Sequence, residues 1–170
     1  MNQTGLPPSA GEIERIVISV FDTMMGLSVE SLDVPWHQLP DRITASVQFG
    51  NTMYGALLLD TDQPSARRFA GGLLGMAPPQ TVDDDVRDAL GELVNVIGGN
   101  LMTDTLSPGT TMSIPSVVDG GDFRVRICHT TVVLRQAFSA DGTVFWVSWI
   151  AKNSPGRDGE ARDAGVAGCA

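Results

Sequence analysis

From residue 82 to residue 106 the apolar side chains of Val86, Leu90, Leu93, Val94, Ile97 and Leu101 recur with a helical period. Only a helix lying with one face on a core buries such a stripe. With Leu90 at zero and about 100° per residue, the other five fall within roughly 60° of it. Asp88, Glu92, Asn95 and Gly99 fall within roughly 40° of the opposite pole. The helix is therefore predicted to hide one side and to present Asp88, Glu92 and Asn95 on the other. After Arg87 it carries no Lys or Arg, so these carboxylates lack the i,i+4 cationic partners usual on a solvated helix. Gly98-Gly99 would end many helices. Here Leu101, Met102 and Leu106 continue the period until Ser107-Pro108-Gly109 breaks it. The glycine pair is placed inside the helix beside Glu92 and Asn95, where missing side chains let another surface approach.

The remaining punctuation predicts the other elements. Ser9-Ala10-Gly11-Glu12 has the form of a capping box, and Ile13, Ile16, Val17, Val20 and Met24 follow at helical spacing up to Gly26. Ile43, Ala45, Val47 and Phe49 alternate with polar residues, Gly50-Asn51 is a turn signal, and a return strand covers residues 54–59, which makes a hairpin. Asp62 is placed to cap a helix bearing Ala66, Phe69, Ala70 and Leu73, closed by Gly75 and Pro78-Pro79. Four β-like runs follow, at 112–118, 123–129, 131–138 and 144–150. The order fits an α+β domain: a largely antiparallel sheet of about six strands covered on one face by three helices. We expect residues 1–9 to be a flexible N-terminus, 10–153 the folded domain, and 154–170, rich in Gly, Ala, Asp and Arg, a disordered tail.

Composition removes several classes of function. A net charge of −9 opposes binding to nucleic acid or anionic lipid, which demand clustered Lys and Arg. No apolar stretch approaches the roughly 20 residues of a membrane span, and Met1 to Pro8 lack a leader pattern, so a cytoplasmic protein is expected. Two cysteines, Cys128 and Cys169, form no disulfide framework, and Cys128 reads as a small core residue. His37 and His129 lie in different elements with no second ligand at zinc spacing. Asp83-Asp84-Asp85 opens a helix, where carboxylates favour the dipole more simply than they suggest a metal. Neither Gly71-Gly72 nor Gly98-Gly99 matches a phosphate-binding loop or dinucleotide fingerprint. Trp146 and Trp149 cannot share one face of a strand, so one of them is expected to be partly exposed.

The central helix and the order of elements together resemble the CheC/CheX/FliY chemotaxis phosphatases. The resemblance is to the CheX branch, with its single Glu-x-x-Asn-x-x-x-Gly helix, matched here by Glu92, Asn95 and Gly99. Phe21-Asp22-Thr23-Met24-Met25-Gly26-Leu27 is similar to the end of that family's first helix. Ile114-Pro115-Ser116-Val117-Val118-Asp119-Gly120 is similar to its proline-containing strand after the active helix. The likeness extends over roughly residues 12–152.

The resemblance implies hydrolysis of the aspartyl phosphate on a CheY-like response-regulator receiver domain. Asn95 would then hold the attacking water in line with phosphorus, and Glu92 would pair with the receiver's lysine. Asp88, Gly98 and Gly99 would belong to the docking face. No cofactor or metal is expected on this chain, the Mg²⁺ being the partner's. Because fold does not fix function, a non-catalytic interaction module or dimeric adaptor is the alternative, and a homodimer through a sheet edge stays open.

Overall fold

The computed structural model describes residues 6–120 and 123–152. The first helix, α1, runs over Ala10–Met25. Its N-terminus is closed by a reciprocal box in which Glu12 N–H donates to Ser9 Oγ at 3.3 Å and Ser9 N–H to Glu12 Oε2 at 2.8 Å. Gly26 ends it in the left-handed conformation at φ 64°, a position where a Cβ would be strained. A short strand β1 (Val29–Leu32) leads to the hairpin of β2 (Arg42–Gly50) and β3 (Gly55–Asp62). Helix α2 (Gln63–Leu74) starts where Asp62 Oδ1 accepts from Ser65 N at 2.8 Å. Helix α3 (Asp84–Asp104) starts where Asp83 accepts from Val86 N at 3.1 Å. Strands β4 (Thr111–Met112), β5 (Ser116–Asp119), β6 (Thr130–Ala140) and β7 (Thr143–Lys152) complete the fold.

All seven strands form one antiparallel sheet in the order β1-β6-β7-β3-β2-β4, with β5 sharing the outer edge of β2 with β4. Alternate residues Ile43, Ala45, Val47 and Phe49 of β2, Leu57 and Leu59 of β3, and Phe145, Val147 and Trp149 of β7 join the buried faces of the three helices in one core. Phe21 of α1 stacks on Phe145 at 4.7 Å and meets Phe69 of α2 edge-on at 5.2 Å, so one aromatic cluster ties two helices to the sheet. The fold is the expected α+β arrangement, with seven strands in place of about six. None of the described helices is long and apolar enough to cross a membrane.

Four points depart from expectation. Strand β1 has no counterpart among the expected elements; four residues of mixed polarity carry no clear period, and pairing with β6 fixes them. The run 123–129 is not a strand. Its alternation is real, but Val125 and Ile127 pack on Ala56, Leu58 and Ile150 across the helix-free face of the sheet, and the run pairs with no strand among the described residues. Arg42 holds its start, donating from Nη2 to Phe123 O at 2.8 Å and lying 4.5 Å over the Phe123 ring. Cys128 consequently sits exposed in a turn and is not a core residue. Finally, both Trp146 and Trp149 are buried, on opposite faces. The chain after β1 crosses the far face and covers Trp146 with Leu39 and an edge-on Trp36 at 5.2 Å. The expected tail, 154–170, lies outside the described residues.

Candidate functional site

Helix α3 packs Leu90, Leu93, Val94, Ile97 and Leu101 into the core, each with no exposed surface. The opposite face carries Asp88 and Glu92, both outward, and Asn95, half-buried, at i, i+4 and i+7. The period thus places all three side chains as predicted. None of the three makes a hydrogen bond or ion pair among the described residues. Their polar atoms face outward and are available to another surface.

Beside them a hollow of about 340 Å³ runs between α3 and β5, lined by Arg87, Asp88, Gly91, Glu92, Pro115 and Val117. Its floor is apolar, because a Cβ on Gly91 would already touch Pro115 at 3.6 Å and Val117 at 3.7 Å. The edge strand is interrupted at residues 113–115, where Ser113 N donates to Gln48 O at 2.8 Å and Gln48 N to Ser113 Oγ at 3.0 Å. The interruption turns Ile114 out to 86 % exposure next to Pro115. Proline at such a break leaves the edge without a ladder donor, which discourages further strands from adding there.

Arg87, which lines the hollow, has a role the sequence did not reveal. Nε and Nη2 fork onto the Asp119 carboxylate of β5 at 3.0 and 3.1 Å, and Nη1 reaches Asp84 at 3.0 Å. Nothing local announces a pair 32 residues apart. The fork, chiefly through its hydrogen bonds, holds the Asp119 carboxyl below the usual carboxylate range and pushes the Arg87 guanidinium up. A carboxyl lowered in the folded state stabilises the fold above its ordinary titration range and loses that contribution as pH falls through the lowered value. The melting temperature of wild type should therefore exceed that of Asp119→Asn near neutrality. The two curves should converge in acid, and a pH-independent gap would contradict this origin.

The two glycines separate. Gly99 is open, with no other group within 4 Å of where a Cβ would stand, and lies on the Glu92/Asn95 side. Gly98 is buried, and a Cβ there would lie 2.8 Å from Met112 Sδ and 2.8 Å from Val47 Cγ2. Its assignment to a partner-facing surface is corrected: the missing side chain lets α3 approach β2 and β4. The helical period held this signal, since Gly98 falls only about 80° from Leu90 while Gly99 falls opposite. Among the acidic residues at the helix start, Asp83 is the N-cap and Asp84 pairs with Arg87. His37 and His129 lie in separate segments, neither of them buried. Among the described residues no three His, Cys, Asp or Glu side chains gather in a way that could hold a metal ion.

The arrangement offers a neutral donor–acceptor amide and an unpaired carboxylate, one turn apart, to whatever lies against α3. Residues 43–139 match the family model described as chemotaxis phosphatase CheX, which is more than half of the chain. No curated protein matches significantly. Among solved structures, the chemotaxis protein CheX from Desulfovibrio desulfuricans superposes with a TM-score of 0.68 at 20% identity, covering 84% of this chain and 98% of that one. CheX from Vibrio vulnificus gives 0.67 at 18% identity, over 82% and 96%. The matching chain of a CheX–CheY–BeF₃–Mg²⁺ complex from Borrelia burgdorferi gives 0.63 at 16% identity, over 83% and 95%. These likenesses show the shared fold, and the family match covers β2 through most of β6, including the whole of α3. The chain belongs to the CheX family of chemotaxis phosphatases.

Proposed function

We propose that this protein hydrolyses the aspartyl phosphate of a CheY-like receiver domain, with α3 docked over the phosphorylation site. The observation that carries this reading is the pair Glu92 and Asn95, without partners among the described residues, on the side of α3 opposite the face buried in the core. A CheX relative in complex with CheY and BeF₃, a mimic of the phosphoryl group, supports the choice of partner. In the reaction a water oxygen bonds to phosphorus as the acyl P–O bond breaks, leaving a free carboxylate and inorganic phosphate. An acyl phosphate is already activated, so alignment of the water and compensation of charge dominate the barrier. The Asn95 carboxamide suits that task because it donates and accepts at once and does not titrate. Glu92 pairs with the receiver's active-site lysine, which fixes the dock, and Asp88 and Gly99 border the contact. The Mg²⁺ of this chemistry is assigned to the receiver's own carboxylates.

Steady-state dephosphorylation over a range of phosphorylated receiver tests the role of Glu92. Glu92→Ala should raise KM about tenfold, the loss of one exposed-to-interfacial charge pair, with a smaller effect on kcat. Replacing the receiver's lysine should then add little to the loss, as a double-mutant cycle requires of paired groups. Fully additive effects would contradict the pairing.

A second reading, a non-catalytic adaptor that pairs through a sheet edge, draws on β6. Strand β1 pairs only with the last four residues of β6. The outer edge of its first half is therefore uncovered among the described residues, with Val132 and Val133 about half exposed.

A further inference from the structure

Arg87 is the only Lys or Arg on α3. It lines the same hollow as Asp88 and Glu92. Gly91, one turn further along, adds no side chain to the lining of the hollow. A flexible cation at that spot is a natural rival for the outward carboxylates. In the structure it is withdrawn from them by a two-pronged bond to Asp119 and a third contact to Asp84. A forked guanidinium–carboxylate pair fixes direction as well as charge. Asp84 and Asp119 thus hold the one cation of the hollow, while Asp88 and Glu92, which line it too, have no partners among the described residues.

We propose that Asp119 is a positioning residue for docking: by holding Arg87 against β5 it keeps the hollow anionic and Glu92 open to a cationic side chain of the partner. This rests on the reading that Glu92 meets a receiver lysine. Asp119 acts through Arg87 and touches nothing that reacts. Its effect belongs to association and to KM. A brace that merely joined α3 to β5 would instead be weakened by loss of either member, and equally by loss of both.

Three variants separate the two roles, each first checked for a cooperative melt, in dephosphorylation of a phosphorylated receiver at low salt. Asp119→Asn removes the fork, leaves Arg87 held only by the exposed Asp84, and adds one unit of positive charge at the hollow, which should raise KM about fivefold with kcat retained. Arg87→Gln removes the rival and should lower KM or leave it unchanged. The double variant Arg87→Gln/Asp119→Asn should return KM to within about twofold of wild type, since the local charge is restored. A double variant as impaired as Asp119→Asn, or a folded Arg87→Gln with a raised KM, would reduce the fork to a brace and overturn the proposal. If Asp119→Asn does not fold, Arg87→Gln decides alone: its KM should climb more steeply with salt than that of wild type, and an equal slope rejects the idea. Wild-type KM in all three variants, with KM raised in Glu92→Ala, rejects the role of Asp119 and leaves the docking role of Glu92 standing. An unchanged KM in Glu92→Ala removes the docking reading and this proposal with it.

Discussion

Replacement of Asn95 by Ala should lower kcat for receiver dephosphorylation by about 100-fold or more while leaving the fold intact, in line with the loss of one preorganised polar group at a reacting centre. The stability half of this expectation follows from the structure. Asn95 is half-buried on the outer face of α3, has no hydrogen-bond partner among the described residues, and leaves no core cavity when shortened. Alanine is also the better helix former. The loss should therefore be confined to turnover, with KM changing little, because the proposed mechanism assigns the dock to Glu92. Asn95→Asp keeps the size and exchanges the amide for a carboxylate that cannot donate and repels phosphate; its kcat should be as low as that of Ala. Single-turnover decay of a phosphorylated receiver at saturating protein separates the two constants. A decay rate unchanged in Asn95→Ala would remove the amide from the mechanism.

The second large effect concerns stability and distinguishes the adjacent glycines. Gly98→Leu should destabilise the protein by about 3 kcal/mol, the upper part of the range for overpacked cores. Even a Cβ at this position meets Val47 on β2 and Met112 on β4 at 2.8 Å, so a longer side chain must push α3 off the sheet. For a domain of this size that corresponds to a fall in melting temperature of roughly 10 °C. Gly99→Ala meets open space and should gain up to about 1 kcal/mol from helix propensity. Thermal melts of the two variants give the comparison, and equal effects would show that the helix does not sit on the sheet as described.

Most of the fold could be read from local chemistry. The Ser9/Glu12 box, the caps at Asp62 and Gly26, and the stripe from Val86 to Leu101 each state their element within a few residues, because capping and helical burial are local in sequence. What escaped the sequence depends on distant partners. Strand β1 exists through its pairing with β6, more than a hundred residues later. The alternation at 123–129 reports burial on one side and is silent about whether a neighbouring strand supplies hydrogen bonds. Trp146 is hidden by a crossing segment that has no secondary structure of its own. The candidate site divides along the same line. Glu92, Asn95 and Asp88 were legible from a 3.6-residue period, whereas the Arg87–Asp119 fork joins a helix to a strand and has no local signature.

The proposed function makes Glu92 and Asn95 half of a reaction centre whose other half belongs to another molecule. It is tested most directly by following phosphate loss from phosphorylated receivers of the same cell, in Mg²⁺, with and without this protein. At least one receiver should lose its phosphate much faster when the protein is added. Decay at the intrinsic rate for every receiver, despite a correctly folded protein, would contradict the claim.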